Sequence, residues 1–174
     1  MLENTPKIAT LHHLLDYDAS KFTSAEIQLK HSLEKWIAGT QSLILKNVLH
    51  KYLDFINQNL QRMETFFEEE DISAISINNR IMQAFIEETE EKLGCCTDAA
   101  IKDACLLAGI QAINHYKIST YGTAAAFANA LEMEKQAAVF YEAEIKEKQI
   151  DDRLSQLAAF EINSKAKVPI AIAQ

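Results

Sequence analysis

Six polar residues occupy positions whose neighbours at three- and four-residue steps are apolar: Glu26, Asn59, Lys117, Glu144, Glu147 and Asp151. A carboxylate on a core-facing stripe costs several kcal/mol to desolvate unless a cation meets it. Four such acids therefore ask for a metal ion or an ammonium, and Lys117 is the ammonium on the same set of stripes. A di-iron or di-manganese carboxylate bundle sets a Glu on each of two helices and a Glu-x-x-His on each of the other two. No Glu-x-x-His occurs in the chain, and His12, His13, His50 and His115 fall off the stripes, as surface or packing residues do. The acids that could still hold one metal ion are Glu26, Asp54, Glu144, Glu147 and Asp151. Other chemistries lack their residues: there is no Ser-His-Asp or Cys-His ordering and no Gly-rich phosphate loop. Cys95, Cys96 and Cys105 are odd in number and lack Cys-x-x-Cys spacing, so they read as reduced thiols filling a helix start and a helix face.

The elements that must position these groups follow from the periodicity. A short lead-in helix is predicted after Thr5-Pro6, with Leu11, Leu14 and Leu15 on one face. A first long helix runs from Asp18 or Ser20 to about Gly39 and carries Phe22, Glu26, Leu29, Leu33 and Trp36 on one side. Thr40 caps a second, on which Leu45, Leu49, Tyr52, Ile56, Asn59, Met63 and Phe66 align up to the acidic run from Glu68 to Asp71. Ser76, Asn78 and Asn79 are candidate caps for a shorter acid-rich helix from about Ile81 to Leu93, with Gly94 as its stop. A third long helix begins after Thr97-Asp98 with Leu106, Ile110, Ile113, Lys117, Tyr121, Ala124, Ala128 and Leu131 in line. The fourth runs from about Glu132 through Ala137, Phe140, Glu144, Glu147, Asp151, Leu154 and Ala158, and ends before Asn163. The segment from Ser164 onward loses the helical period and is expected to be extended or mobile. Four long amphipathic helices with a longer stretch between the second and third are the parts of an all-α bundle with one crossover. The expected organisation is one domain, with the bundle over about 18–160 and a mobile tail over about 161–174.

Composition agrees with this reading. The 174 residues suffice for one domain with a proper core. Only four Gly and two Pro interrupt them, which favours long helices. Lys plus Arg number 17 against 25 Asp plus Glu, a formal net charge of -8 whose field repels nucleic acid and anionic lipid. No apolar run approaches the roughly 20 residues of a membrane span, and no amino-terminal signal pattern occurs, so a cytoplasmic protein is expected.

Three stretches carry a specific likeness. Asp98 to Ala104, the block His115-Tyr116-Lys117-Ile118-Ser119-Thr120-Tyr121-Gly122-Thr123, and Glu147 to Leu154 resemble the YciE/YciF-like family of ferritin-like stress proteins. Ser24 to Leu29 is similar to the first helix of that family, and the likeness extends from about Leu14 to Ala159, loosely over the second helix. The resemblance implies a ferritin-like antiparallel four-helix bundle with a short extra helix in the crossover, dimeric, and tied to bacterial stress responses. It also implies that Glu26 and Glu147 match metal-centre carboxylates and that Asp151 matches a nearby acid. The chain departs from the pattern at three positions. Asn59 stands where the family commonly has His, Asn114 where it has Glu, and Lys117 where it has Glu. Replacing a carboxylate by an ammonium removes a ligand and changes the local charge by two units, and an amide is a weaker ligand than imidazole.

The expectation is a core polar network of Glu26, Asn59, Asn114, Lys117, Glu147 and Asp151, in which Lys117 takes the place of metal and fixes helix register. The alternative turns Lys117 to the rim, where its stem reaches water. At the level of function, the first reading is a non-enzymatic, stress-associated homodimer without cofactor. The second is an iron or manganese oxidoreductase or storage protein. A third, an adaptor using the acidic segment Glu87 to Glu91, rests on charge alone.

Overall fold

The computed structural model describes residues 7–70 and 77–167. Helix α1 spans Leu11–Gly39, α2 Leu43–Glu69, α3 Arg80–Cys95, α4 Ala99–Ala130 and α5 Glu134–Leu157. A π-helical turn, Ala158–Ile162, and the short α6, Asn163–Ala166, follow without a break. Among the described residues there is no strand.

Side-chain caps set four of the starts. Thr10 accepts from His13 N, Ser42 from Leu45 N, Asn79 from Met82 N, and Asp98 from Ala100 N and Ile101 N. Each satisfies an amide that would otherwise lack a partner in the first turn. The link from α4 to α5 turns on Glu132, whose φ of 59° is left-handed. Met133 N reaches back to Ala128 O at 2.9 Å, closing α4 in a Schellman-type turn.

Several boundaries differ from the sequence reading. No separate lead-in helix exists among the described residues: the stripe of Leu15, Ala19, Phe22 and Glu26 is continuous, so α1 starts at Leu11 under Thr10. Thr5 and Pro6 lie outside the described residues. Gly94 does not stop α3, which runs one residue further and is capped by Cys96. The predicted tail over 161–174 is helical to Ala166. The π turn supplies the reason: its extra residue carries the buried face from Leu157 to Ile162, a five-residue step that a regular helix would turn away. Residues 168–174 lie outside the described residues.

The four long helices form a bundle in which α1 packs on α2 and α4, and α5 on α2 and α4. Neighbours run antiparallel. The α1–α2 and α4–α5 connections are short, Asp103 near the start of α4 meets Gln41 and Ser42 after α1, and Gln136 near the start of α5 meets Glu70 after α2. The chain must therefore return the length of the bundle between α2 and α4, and α3 makes that crossing against α1 and α4. Asn79 anchors it: its Nδ2 donates to Lys21 O and Tyr116 Oη, and its backbone N to Ser24 Oγ. Apolar layers fill the axis, among them Leu15, Leu29, Leu49, Ile110, Phe140 and Leu154, all fully buried.

Candidate functional site: a buried lysine between two glutamates

Glu26, Asn59, Lys117 and Glu147 each lie near the middle of α1, α2, α4 and α5, so the antiparallel packing brings the four helices' polar positions to one height. Their side chains meet on the bundle axis, at most 2% exposed. Lys117 Nζ lies 2.9 Å from Glu26 Oε2 and 2.5 Å from Glu147 Oε1, and it donates to Tyr52 Oη at 3.2 Å. Tyr52 Oη in turn donates to Glu147 Oε2 at 2.9 Å, and Asn114 Nδ2 donates to the same oxygen at 2.6 Å and to Glu147 O at 3.1 Å. On the other side Tyr121 Oη donates to Glu26 Oε1, joined there by Asn59 Nδ2 at 3.3 Å. Glu26 Oε2 and Glu147 Oε1 are the oxygens that meet the ammonium in ion-pair contact. Asn114 Oδ1 accepts from no donor among the described residues.

Two carboxylates against one ammonium leave the site with an excess negative charge where the surroundings are apolar. Burial accordingly pushes the Glu147 carboxyl up to about 7, against the opposing pull of Lys117 and the hydrogen bonds that it receives from Lys117 and Tyr52. Lys117 is raised as well, from the opposite cause. Burial alone would lower it, but Glu147 and Glu26 together drive it above its ordinary value, so the ammonium is held. Tyr52 and Tyr121 are pushed well up, by burial first and then by the adjacent carboxylates, and remain phenols that donate.

Five of the six residues expected in the core network are thus together, and Lys117 is not at the rim. Asp151 is not with them: it is one turn beyond Glu147 but rotated outward, where Oδ1 pairs with His115 Nε2 at 3.1 Å. The other acids proposed as ligands are also elsewhere. Asp54 is exposed in a groove between α2 and α5 with Lys51, Lys146 and Arg153, and Glu144 pairs with Lys148 beside Gly122. For Glu144 and Asp151 the cause is shared: a stripe of seven residues in α5 wraps further around the helix than the axis of the bundle can receive. Tyr52 and Tyr121 were counted with the apolar stripes, yet they supply two of the network's donors. The signal was available, because a Tyr at a fully buried position must find a partner for its hydroxyl. Among the described residues no group of three or more His, Cys, Asp and Glu is placed to hold a metal ion, and no helix is long and apolar enough to cross a membrane.

Comparison with known proteins places this chain among relatives. A family model described as a domain of unknown function, DUF892, matches residues 10–167. Protein YciF of Escherichia coli (strain K12) is 32% identical over 145 residues, 83% of this chain and 87% of its own. The crystal structure of the Escherichia coli stress protein YciF superposes with a TM-score of 0.83 at 29% identity, over 92% of this chain and all of that one. YcfI from Rhodopseudomonas palustris, described as a candidate structural protein, gives the same TM-score at 25% identity, over 87% of this chain and 96% of its own.

Proposed function

The chain belongs to the DUF892 family, and on that premise we propose that it is a non-enzymatic, stress-associated bundle protein whose centre is closed by Lys117 instead of by metal. The observation that carries the reading is the ammonium between Glu26 and Glu147. A di-iron or di-manganese centre needs several carboxylate oxygens and imidazoles converging on the shared ions. Here the two convergent carboxylates are spent on an ammonium and on the donors Tyr52, Tyr121, Asn59 and Asn114. The remaining acids of the ligand set face outward. These residues do not fit such a centre.

What the centre does instead is specify the packing. Lys117 on α4 satisfies acids on α1 and α5 and a tyrosine on α2, so any slip of one helix past another strands a buried charge. The description of Escherichia coli YciF as a stress protein supports a stress-associated role, and the composition supports a cytoplasmic one. The reading is tested by elemental analysis of the purified protein before and after anaerobic exposure to ferrous and manganous salts, with Lys117→Glu alongside. The expected result is no stoichiometric metal in the native chain and uptake by the variant. Stoichiometric iron or manganese in the native chain would overturn the proposal in favour of oxidoreductase or storage chemistry.

A further inference from the structure

All three cysteines of the chain stand at one corner of the fold, where α3 turns into α4. Cys95 closes α3, Cys96 caps it, and Cys105 lies in the second turn of α4. All three are free thiols. The two helices pack side by side in a hairpin joined by the short link Cys96 to Asp98. Phe85 stacks near Tyr116 with ring centroids 5.8 Å apart. Closer to the link the approach tightens, so that a Cβ on Gly109 would come within 2.5 Å of Thr89 Oγ1. Cys105 precedes Gly109 by four residues and Cys96 follows Thr89 by seven, so each continues its helix's contacting stripe toward the link. Beyond the effect of burial, the neighbouring Cys96 thiol pushes the Cys105 thiol up, and Cys96 Sγ donates to Lys92 O at 3.2 Å. Cys95 is exposed, and successive helical residues do not share a face.

We propose that Cys96 and Cys105 form an oxidisable dithiol site, which a hydroperoxide converts to a disulfide clamping the end of the crossover helix onto α4. The Cys96 thiolate attacks the outer oxygen of the hydroperoxide, the O–O bond breaks, and the leaving oxygen takes up the thiol's proton, leaving a sulfenic acid on Cys96. The Cys105 sulfur then attacks the Cys96 sulfur, the S–S bond forms as the S–O bond breaks, and the departing hydroxide takes the Cys105 proton as water. Two thiols lose two electrons and one hydroperoxide is reduced. The order follows from the surroundings. Burial and the neighbouring Cys96 push the Cys105 thiol up while Lys92 draws it partly back, so it is the partner kept protonated until a sulfenic acid is beside it. Asn79 already ties the start of α3 to α1 and α4, and the disulfide pins its other end. Neither cysteine shares a hydrogen bond or ion pair with the Lys117 network, so the site stands apart from the function proposed above.

Intact-mass analysis of the full chain after hydrogen peroxide, with the remaining thiols alkylated under denaturing conditions, tests the site. The expected product is a monomer that has lost about 2 Da, the two thiol hydrogens, with a peptide linking Cys96 to Cys105, only Cys95 alkylated, and all three thiols recovered by dithiothreitol. Cys95→Ser should keep the link, and Cys96→Ser and Cys105→Ser should each abolish it. A Cys95–Cys96 pairing, a disulfide-linked dimer, or oxygen added to the cysteines with no link would overturn the proposal.

Discussion

A water-poor centre that holds two carboxylates and one ammonium titrates where its charge is least balanced, at Glu147. Its carboxyl is raised from 4.5 to about 7, so between those values the folded state binds a proton that the unfolded chain does not. Stability from this group is therefore fully present below about pH 4.5 and is lost as pH rises through about 7. Urea unfolding across that window should show the native chain weakening toward neutral pH more steeply than Glu147→Gln, and equal slopes would refute the assignment. Removing the cation has a larger effect. Lys117→Met strands two buried carboxylates and should lower unfolding free energy by about 3–5 kcal/mol, read from the denaturation midpoint. An unchanged midpoint would mean that the ammonium contributes nothing to the fold. Of the residues concerned, Glu26, Asn59, Lys117 and Glu147 were legible because each breaks an apolar stripe. Asn114, next to the stripe, was legible only through the family resemblance.

At the scale of the element, the contact of α3 with α4 depends on a missing side chain. Gly109 costs about 1 kcal/mol of helix propensity relative to Ala, yet it admits Thr89, which is buried and holds Phe85 O through its hydroxyl at 2.7 Å. Thr89 cannot simply rotate away. Gly109→Ala should therefore destabilise by about 1–3 kcal/mol despite the better propensity, and Thr89→Ala should remove most of that penalty in a double-mutant cycle. Additive effects in the cycle would separate the two residues. Nothing in a one-dimensional pattern says which neighbour comes close to Gly109. The same limit explains α5. Its period announces a helix to Ala158, but the π turn that carries the buried face on to Ile162 is decided by what Ile162 meets.

At the scale of the whole molecule, surface and charge bear on association. The formal charge of -8 surrounds the chain with a negative field. Several large apolar side chains remain outside the bundle, Phe160 at 80% and Leu43 at 70% exposed among them. A homodimer, which the family resemblance implies, would have these side chains to bury, and light scattering on the purified chain should then return twice the chain mass. A single chain mass at micromolar concentration would overturn that expectation.

Local chemistry was enough to determine the four long helices, the crossover helix and their order, because apolar spacing, caps and the scarcity of Gly and Pro act between near neighbours along the chain. It also named an ammonium among acids. Only the tertiary structure decided which acids that ammonium meets. Glu144, Glu147 and Asp151 share one broad stripe, but the bundle axis admits a single one of them. A helix presents a face of some width, and the rotation that selects one residue from that face is set by the packing of the other three helices.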